Sequence, residues 1–142
     1  VIDLVEQLLD EEEGEKPFVY PDSRGFWTIA RGVCVDSRVP GAGLPRAAMD
    51  AANEIRTEEA RQRAMDLPGF NRCNAVRQAV LVSMCFQLGD LHDWPHFKGA
   101  LAMDDYEAAA AAGMDSDWAR TQTPARAKRQ MQMMASGQWV NK

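Results

Sequence analysis

Glu13-Gly14, then Tyr20-Pro21-Asp22-Ser23-Arg24-Gly25, then Phe26-Trp27-Thr28-Ile29: the reading of this chain turns on this stretch. Upstream of it, Ile2, Val5 and Leu9, with Leu4 and Leu8, repeat at helical spacing. Gly14 is the residue type that stands just past a helix end. Phe18-Val19-Tyr20 and Phe26-Trp27-Thr28-Ile29 read as short strands, and the Pro-Asp-Ser-Arg-Gly run between them is turn chemistry. A third short strand is expected at Val33-Cys34-Val35, and the sheet ends in the loop Val39-Pro40-Gly41-Ala42-Gly43. This places one carboxylate, Glu13, at a helix end, a second, Asp22, in a hairpin turn, and Thr28 on the return strand.

The rest reads as helix. Pro45 opens a helix running towards Asn53. Thr57 is placed to cap the next, with Glu58 and Glu59 favourable in its first turn and Pro68-Gly69 ending it. Residues 75–88 are apolar on nearly every side, which marks a central buried helix closed by Gly89. Shorter helices are expected near Phe97–Met103 and over Tyr106–Ala112, the latter stopped by Gly113. Asp115 is placed to cap a segment containing Trp118. Thr123-Pro124 is a cap-then-proline helix start, with Gly137 as its stop. The expected fold is α+β: a small N-terminal antiparallel sheet lobe and a larger C-terminal helical bundle, with a cleft between. The 142 residues suit a single domain, 1–142, with a sheet-containing lobe at about 14–67; the helical lobe runs from 68 on and includes the N-terminal helix.

Bulk properties narrow the function classes. The net charge of −5 argues against a nucleic-acid partner. The charge is uneven: residues 1–22 are acid-rich against Lys16 alone, whereas 118–142 carry Arg120, Arg126, Lys128, Arg129 and Lys142 without an acid. Cys34, Cys73 and Cys85 have neither metal-ligand nor disulfide-framework spacing, and Cys85 reads as core. His92 and His96 are four apart, but Pro95 intervenes and no third ligand is evident, so they read as surface and no metal site is expected. No apolar run is long enough to cross a bilayer.

Two carboxyl groups on different elements, facing one cleft, are the minimum machinery for cleaving a glycosidic bond. Each residue alone has a plainer explanation. The acidic run Glu11-Glu12-Glu13 with Glu15 is an ordinary solvated helix end, Asp22 an ordinary turn residue, and Thr28 an ordinary strand residue.

Together, Glu-Gly, Tyr-x-Asp and Gly-x-x-Thr-Ile at these spacings resemble the phage-type lysozymes, the endolysins of glycoside hydrolase family 24. Two later blocks in the same order add to the resemblance. Ala75-Val76-Arg77 through Met84-Cys85-Phe86-Gln87-Leu88-Gly89 is similar to that family's central helix. Gln122-Thr123-Pro124-Ala125-Arg126-Ala127-Lys128-Arg129, followed by Gly137-Gln138-Trp139, is similar to its C-terminal helix. The resemblance implies a two-lobed lysozyme that cuts between N-acetylmuramic acid and N-acetylglucosamine with inversion. By position it makes Glu13 the catalytic acid, Asp22 the second carboxylate, Thr28 the third member, and Arg126 the arginine that pairs with the catalytic glutamate. Phe86 and Gln87 border the cleft in the family, and Trp118 is the tryptophan read as a cleft residue. The resemblance further implies bacterial peptidoglycan as partner, no cofactor and a monomer. It implies a path from the infected host's cytoplasm to the periplasm and wall, by a holin pore or a removed N-terminal anchor.

The chain departs from the pattern just beyond Thr28. The family commonly has glycine where Ala30 stands and histidine where Val33 stands, and Arg31 is left facing cleft or solvent. Two competitors stay open: a catalytically altered lysozyme-fold protein that binds glycan, and a lytic transglycosylase, which needs one carboxyl group and no attacking water.

Overall fold

The computed structural model describes residues 4–12 and 14–142; Glu13 and residues 1–3 lie outside the described residues. The chain divides into two compact units, Val1–Ala52 and Asn53–Lys142. The fold is α+β: a three-stranded antiparallel sheet in the first unit and a helical second unit. Among the described residues, no helix is long and apolar enough to cross a membrane.

The first unit opens with helix α1 (Leu4–Glu12). Beyond it Gly14 adopts a positive φ of 65°, as expected of a residue past a helix stop. Strands β1 (Lys16–Pro21), β2 (Trp27–Ala30) and β3 (Val33–Cys34) follow in sheet order β1-β2-β3. Tyr20 pairs with Thr28 and Pro21 with Trp27, while a bulge shifts the register before Lys16 meets Ala30. The two described residues of this unit that are fully buried are polar, Thr28 and Asp36. A polar lock therefore organises the sheet. The Asp36 carboxylate accepts the Trp27 N–H at 3.0 Å, the Arg38 N–H at 2.9 Å and the Arg38 guanidinium at 2.6 Å. Arg38 in turn reaches the Gly25 carbonyl at 3.0 Å and lies over the Phe26 ring. Arg31, in the β2–β3 turn, pairs with Glu6 at 2.8 Å and with Asp10, both on α1.

Helix α2 (Arg46–Met65) is continuous, where the sequence suggested two helices meeting near Asn53 and Thr57. No glycine or proline interrupts that stretch, and threonine is only a mild cost inside a helix. The division between the two units falls within α2. After a short 3-10 turn at Phe70–Arg72 come α3 (Ala75–Leu88), α4 (Pro95–Ala102), α5 (Tyr106–Met114), a π-type turn at Trp118–Gln122 and α6 (Pro124–Ser136). Helix α3 has the predicted bounds: the Asn74 side chain caps it by accepting the Arg77 N–H at 3.0 Å, and Gly89 closes it. Its Leu81, Met84 and Cys85 sit in a core with Phe97, Leu101, Trp118, Met131 and Met134. Burial pushes the Cys85 thiol up to about 11, an inert core cysteine.

Gly113 does not stop α5. It is buried inside the helix, where a Cβ would stand 2.2 Å from Met131 Sδ on α6. The missing side chain lets the two helices approach. Asp115 pairs with Arg120 at 2.6 Å, and Asp117 holds the position before the π-type turn. At the other end of α6, Gly137 takes φ 68° and terminates the helix as expected. Asn74 and Arg77 of the α3 start donate to the Gly137, Met134 and Ala135 carbonyls at 2.9, 2.8 and 2.9 Å. These bonds satisfy helix-end carbonyls that would otherwise lack partners.

Candidate active site

In the first unit the hairpin brings Asp22 and Thr28 into one hydrogen-bonded arrangement through Phe26. Asp22 Oδ1 accepts the backbone N–H of Arg24 at 2.8 Å and of Phe26 at 2.9 Å, an Asx-type turn. The Asp22 N–H donates to the Phe26 carbonyl at 2.8 Å, and the Thr28 hydroxyl donates to that same carbonyl at 3.0 Å. Gly25 supplies the positive φ of 82° that this tight turn needs. Both of these bonds fall on Oδ1, while Oδ2 faces the exposed Arg24 guanidinium at 4.0 Å.

The Phe26 N–H is the main reason the Asp22 carboxyl is held below its ordinary range; the Arg24 N–H adds to it and partial desolvation opposes it. Asp22 is therefore a carboxylate at neutral pH. The Thr28 hydroxyl, buried and already donating to Phe26, is left with acceptor capacity.

In the second unit Gln87, near the end of α3, gathers two of the remaining candidates, Trp118 and Arg126. Its Oε1 accepts the Trp118 indole N–H at 3.0 Å and an Arg126 guanidinium N–H at 2.9 Å. Its Nε2 donates to the Thr123 hydroxyl at 3.2 Å. Thr123 makes no side-chain cap on α6, contrary to the sequence expectation; Gln87 engages its hydroxyl. Trp118 is 1% exposed and packs edge-on against Trp94 at 6.0 Å. No ring face is open for sugar stacking, so Trp118 acts by holding the Gln87 amide. Phe86 is 56% exposed and lines a groove of about 550 Å³ with Thr57, Arg61, Val82, Ser83 and Arg126.

The sequence reading missed the Asp36–Arg38 lock that fixes β2. The spacing Asp36-Ser37-Arg38 is itself an Asx-turn signal, since the Asp36 carboxylate takes the N–H two residues on. Its bond to Trp27 is nonlocal and leaves no mark in the sequence. Arg38 is the first cause of the strong lowering of the Asp36 carboxyl. Among the described residues no group of three or more His, Cys, Asp or Glu is placed to hold a metal ion. His92 is exposed between Asp90 and Asp93.

This α+β arrangement, a carboxylate-bearing hairpin followed along the chain by a helical unit, is lysozyme-like. Relatives carry the same resemblance. The chain is 39% identical over 61 residues to a SAR-endolysin of Enterobacteria phage H19B, covering 41% of this chain and 34% of that protein. It is 38% identical over 61 residues to a SAR-endolysin of Escherichia phage 933W, with the same coverage. It is 37% identical over 60 residues to a probable prophage lysozyme of Escherichia coli strain K12, covering 40% of this chain and 34% of that protein. The chain thus resembles phage-type endolysins and lysozymes, and it spans about a third of the length of these curated relatives. No family model matches the sequence.

Proposed function

We propose that the protein is a peptidoglycan hydrolase of a phage lysis system, a muramidase that cuts the β-1,4 bond between N-acetylmuramic acid and N-acetylglucosamine. The observation that carries this reading is the Asp22–Phe26–Thr28 arrangement, an ionised carboxylate and a buried hydroxyl locked on one hairpin. The names of the relatives support it.

In this reading Glu13 donates the proton to the leaving oxygen, with Arg126 in support. Asp22 offers its Oδ2 to the incoming water or to the developing oxocarbenium charge. A carboxylate stabilised by backbone donors is a weak base, so its main contribution is electrostatic. Thr28 accepts a hydrogen bond from the water and orients it. A carboxyl separation of about 6.5–9.5 Å leaves room for that water and gives inversion, whereas about 5 Å gives retention. Gln87 orients Arg126, and Phe86 offers an apolar surface to the glycan.

The test is digestion of purified peptidoglycan followed by mass analysis. Reducing muramic acid ends are expected. Anhydro-muramic ends would make the protein a lytic transglycosylase, and an absence of products would favour a glycan-binding protein that does not cut. Glu13→Gln is expected to abolish turnover with the fold retained. Lysis by that variant at the parent rate would sink the assignment of the acid.

A further inference from the structure

Glu13 belongs to a short link, residues 13–15, between the end of α1 at Glu12 and the start of β1 at Lys16. Both ends of that link are tied to adjacent residues of one turn. At the far end Lys16 pairs with Ala30, the last residue of β2. At the near end Arg31, the next residue, grips α1. Its guanidinium donates from Nη1 to Glu6 Oε2 at 2.8 Å and from Nη2 to Asp10 Oδ1. Glu6 and Asp10 are four positions apart, so they lie about one turn apart on the same helix face. One planar fork therefore takes two carboxylates, which fixes both the height of α1 against the turn and its rotation about its own axis.

Apolar packing does not supply that constraint. No residue of α1 is buried, and Leu4, Val5 and Leu8 are exposed. The turn that carries Arg31 is itself held, because Ile29 and Val33 pair on either side of it. The Arg31 side chain is partly buried. The hydrogen bond to Glu6 holds its guanidinium above the ordinary range against partial desolvation, and the charges of Asp10, Glu6 and Glu15 add to it. Glu15 is part of the link, so the same cation draws on the link as well as on the helix.

Exposed ion pairs add little to stability. Misplacing a reacting group is far more costly, since a displacement of about 1 Å lowers a rate by about a hundredfold. A grip of this kind shows in the rate and hardly in the melting temperature.

We propose that Arg31 is a positioning residue for the general acid: by gripping Glu6 and Asp10 it sets the end of α1, and with the Lys16–Ala30 pairing it fixes the link that presents the Glu13 carboxyl. The role of Glu13 as acid rests on the proposed function, whereas the grip of Arg31 on α1 does not.

The experiment uses the full chain. Arg31→Met keeps the length of the side chain without its charge. It is measured beside Arg31→Lys and beside the α1 double variant Glu6→Gln with Asp10→Asn. Digestion of soluble, uncross-linked peptidoglycan gives kcat and KM, amide exchange at Leu8 to Glu11 reports α1, and carbon-13 NMR of the Glu13 carboxyl reports the acid without substrate. Arg31→Met is expected to lower kcat about tenfold or more, with KM within about twofold of the parent. Its Tm is expected within about 3 °C of the parent, with faster α1 exchange and a moved Glu13 resonance. Arg31→Lys keeps the charge without the fork and is expected to recover part of kcat. The α1 double variant is expected to lose kcat to the same extent, and adding Arg31→Met to it is expected to cost nothing further, as for groups that act as one unit. Parent kcat in Arg31→Met, or kcat, KM and Tm failing together, would overturn the proposal, and so would additive losses. The Glu13 resonance keeps the two readings apart. A parent that digests no wall, but whose Glu13 resonance and α1 exchange change in Arg31→Met, loses only the hydrolase reading. An active parent in which Arg31→Met leaves kcat and that resonance untouched loses this inference alone.

Discussion

Ala30→Gly is expected to stabilise the protein, although it removes a side chain from a strand. Ala30 is the last residue of β2 and sits at φ 55°, in the left-handed region. There Cβ crowds the following carbonyl, a cost of about 1–2 kcal/mol for a residue other than glycine. Glycine removes that cost but adds freedom to the unfolded chain, which offsets about 0.4–1 kcal/mol. The net gain is about 0.5–1 kcal/mol. An unfolding entropy of about 2.1 cal/mol/K per residue amounts to about 0.3 kcal/mol per degree for a chain of this size, so Tm rises by about 2–3 °C. The assay is thermal and urea denaturation followed by circular dichroism, with amide exchange at Ile29 and Val33 reporting the hairpin itself. Ile29→Gly is the control: Ile29 has no positive φ, pairs with Val33, and should lose stability when replaced. If Ala30→Gly leaves Tm unchanged or lowers it, Ala30 is not strained and the reasoning fails. The substitution also restores the residue that the phage-type pattern commonly has at this position.

Gly113→Ala gains helix propensity but drives a methyl into Met131 Sδ; a loss of about 1–3 kcal/mol is expected in urea melts, with Met131→Ala in the same chain recovering part of it. Gln87→Met strips the acceptor from the buried Trp118 indole and is expected to cost about 1–3 kcal/mol; Gln87→Glu keeps the acceptor and should cost less. Acid should open the first unit early. Asp22 and Asp36 both have lowered carboxyls in the folded chain, so their stabilisation is present above the ordinary carboxylate range and is lost as pH falls below it through the depressed values. NMR of the Trp27 N–H, which donates to Asp36, should report this loss before the α3 amides change; loss of the Trp27 and α3 protection together, at the same pH, would contradict it.

Local signals in the sequence were strong where one short-range cause sufficed. The apolar run 75–88 could only be a buried helix, and Asn74 and Gly89 bound it as cap and stop. The hairpin around Asp22 was readable because its side chain folds its own turn. Features set by distant partners were not readable. Thr57 looks like a cap, but nothing in Asn53-Glu54-Ile55-Arg56 breaks the preceding helix, so α2 continues through it. Gly113 looks like a stop, but the side chain it must clear, Met131, stands eighteen positions later on another helix. Thr123 looks like a cap too, and Gln87 of α3 engages the hydroxyl instead. Asp36 carries the local signal of its own turn, but its bond to Trp27 across the sheet leaves no mark in the sequence. Within the candidate site, the Asp22–Thr28 half was legible for the same local reason. Glu13 rests on the resemblance and on position.

The turn that makes Asp22 legible also limits what it can do. A leaving sugar oxygen needs a proton, and the donor must hold that proton near neutral pH. Asp22 cannot be that donor, because the N–H groups of Phe26 and Arg24 that shape its turn also favour its charged form. The task that remains for it is the charged one, at the free Oδ2. Any glycosidase chemistry in this chain must therefore draw its acid from a second carboxyl group with a different environment. Aspartate at position 22 would be kept even in a protein without activity, since Asp22→Ala removes two bonds from the turn. Asp22→Asn separates the two roles: its side-chain oxygen still accepts from Arg24 and Phe26, but it carries no charge. If the charge matters, Asp22→Asn keeps the hairpin amides protected while wall digestion falls by about tenfold or more. Full digestion by a folded Asp22→Asn variant would reduce Asp22 to a turn residue and leave the site with no second carboxylate.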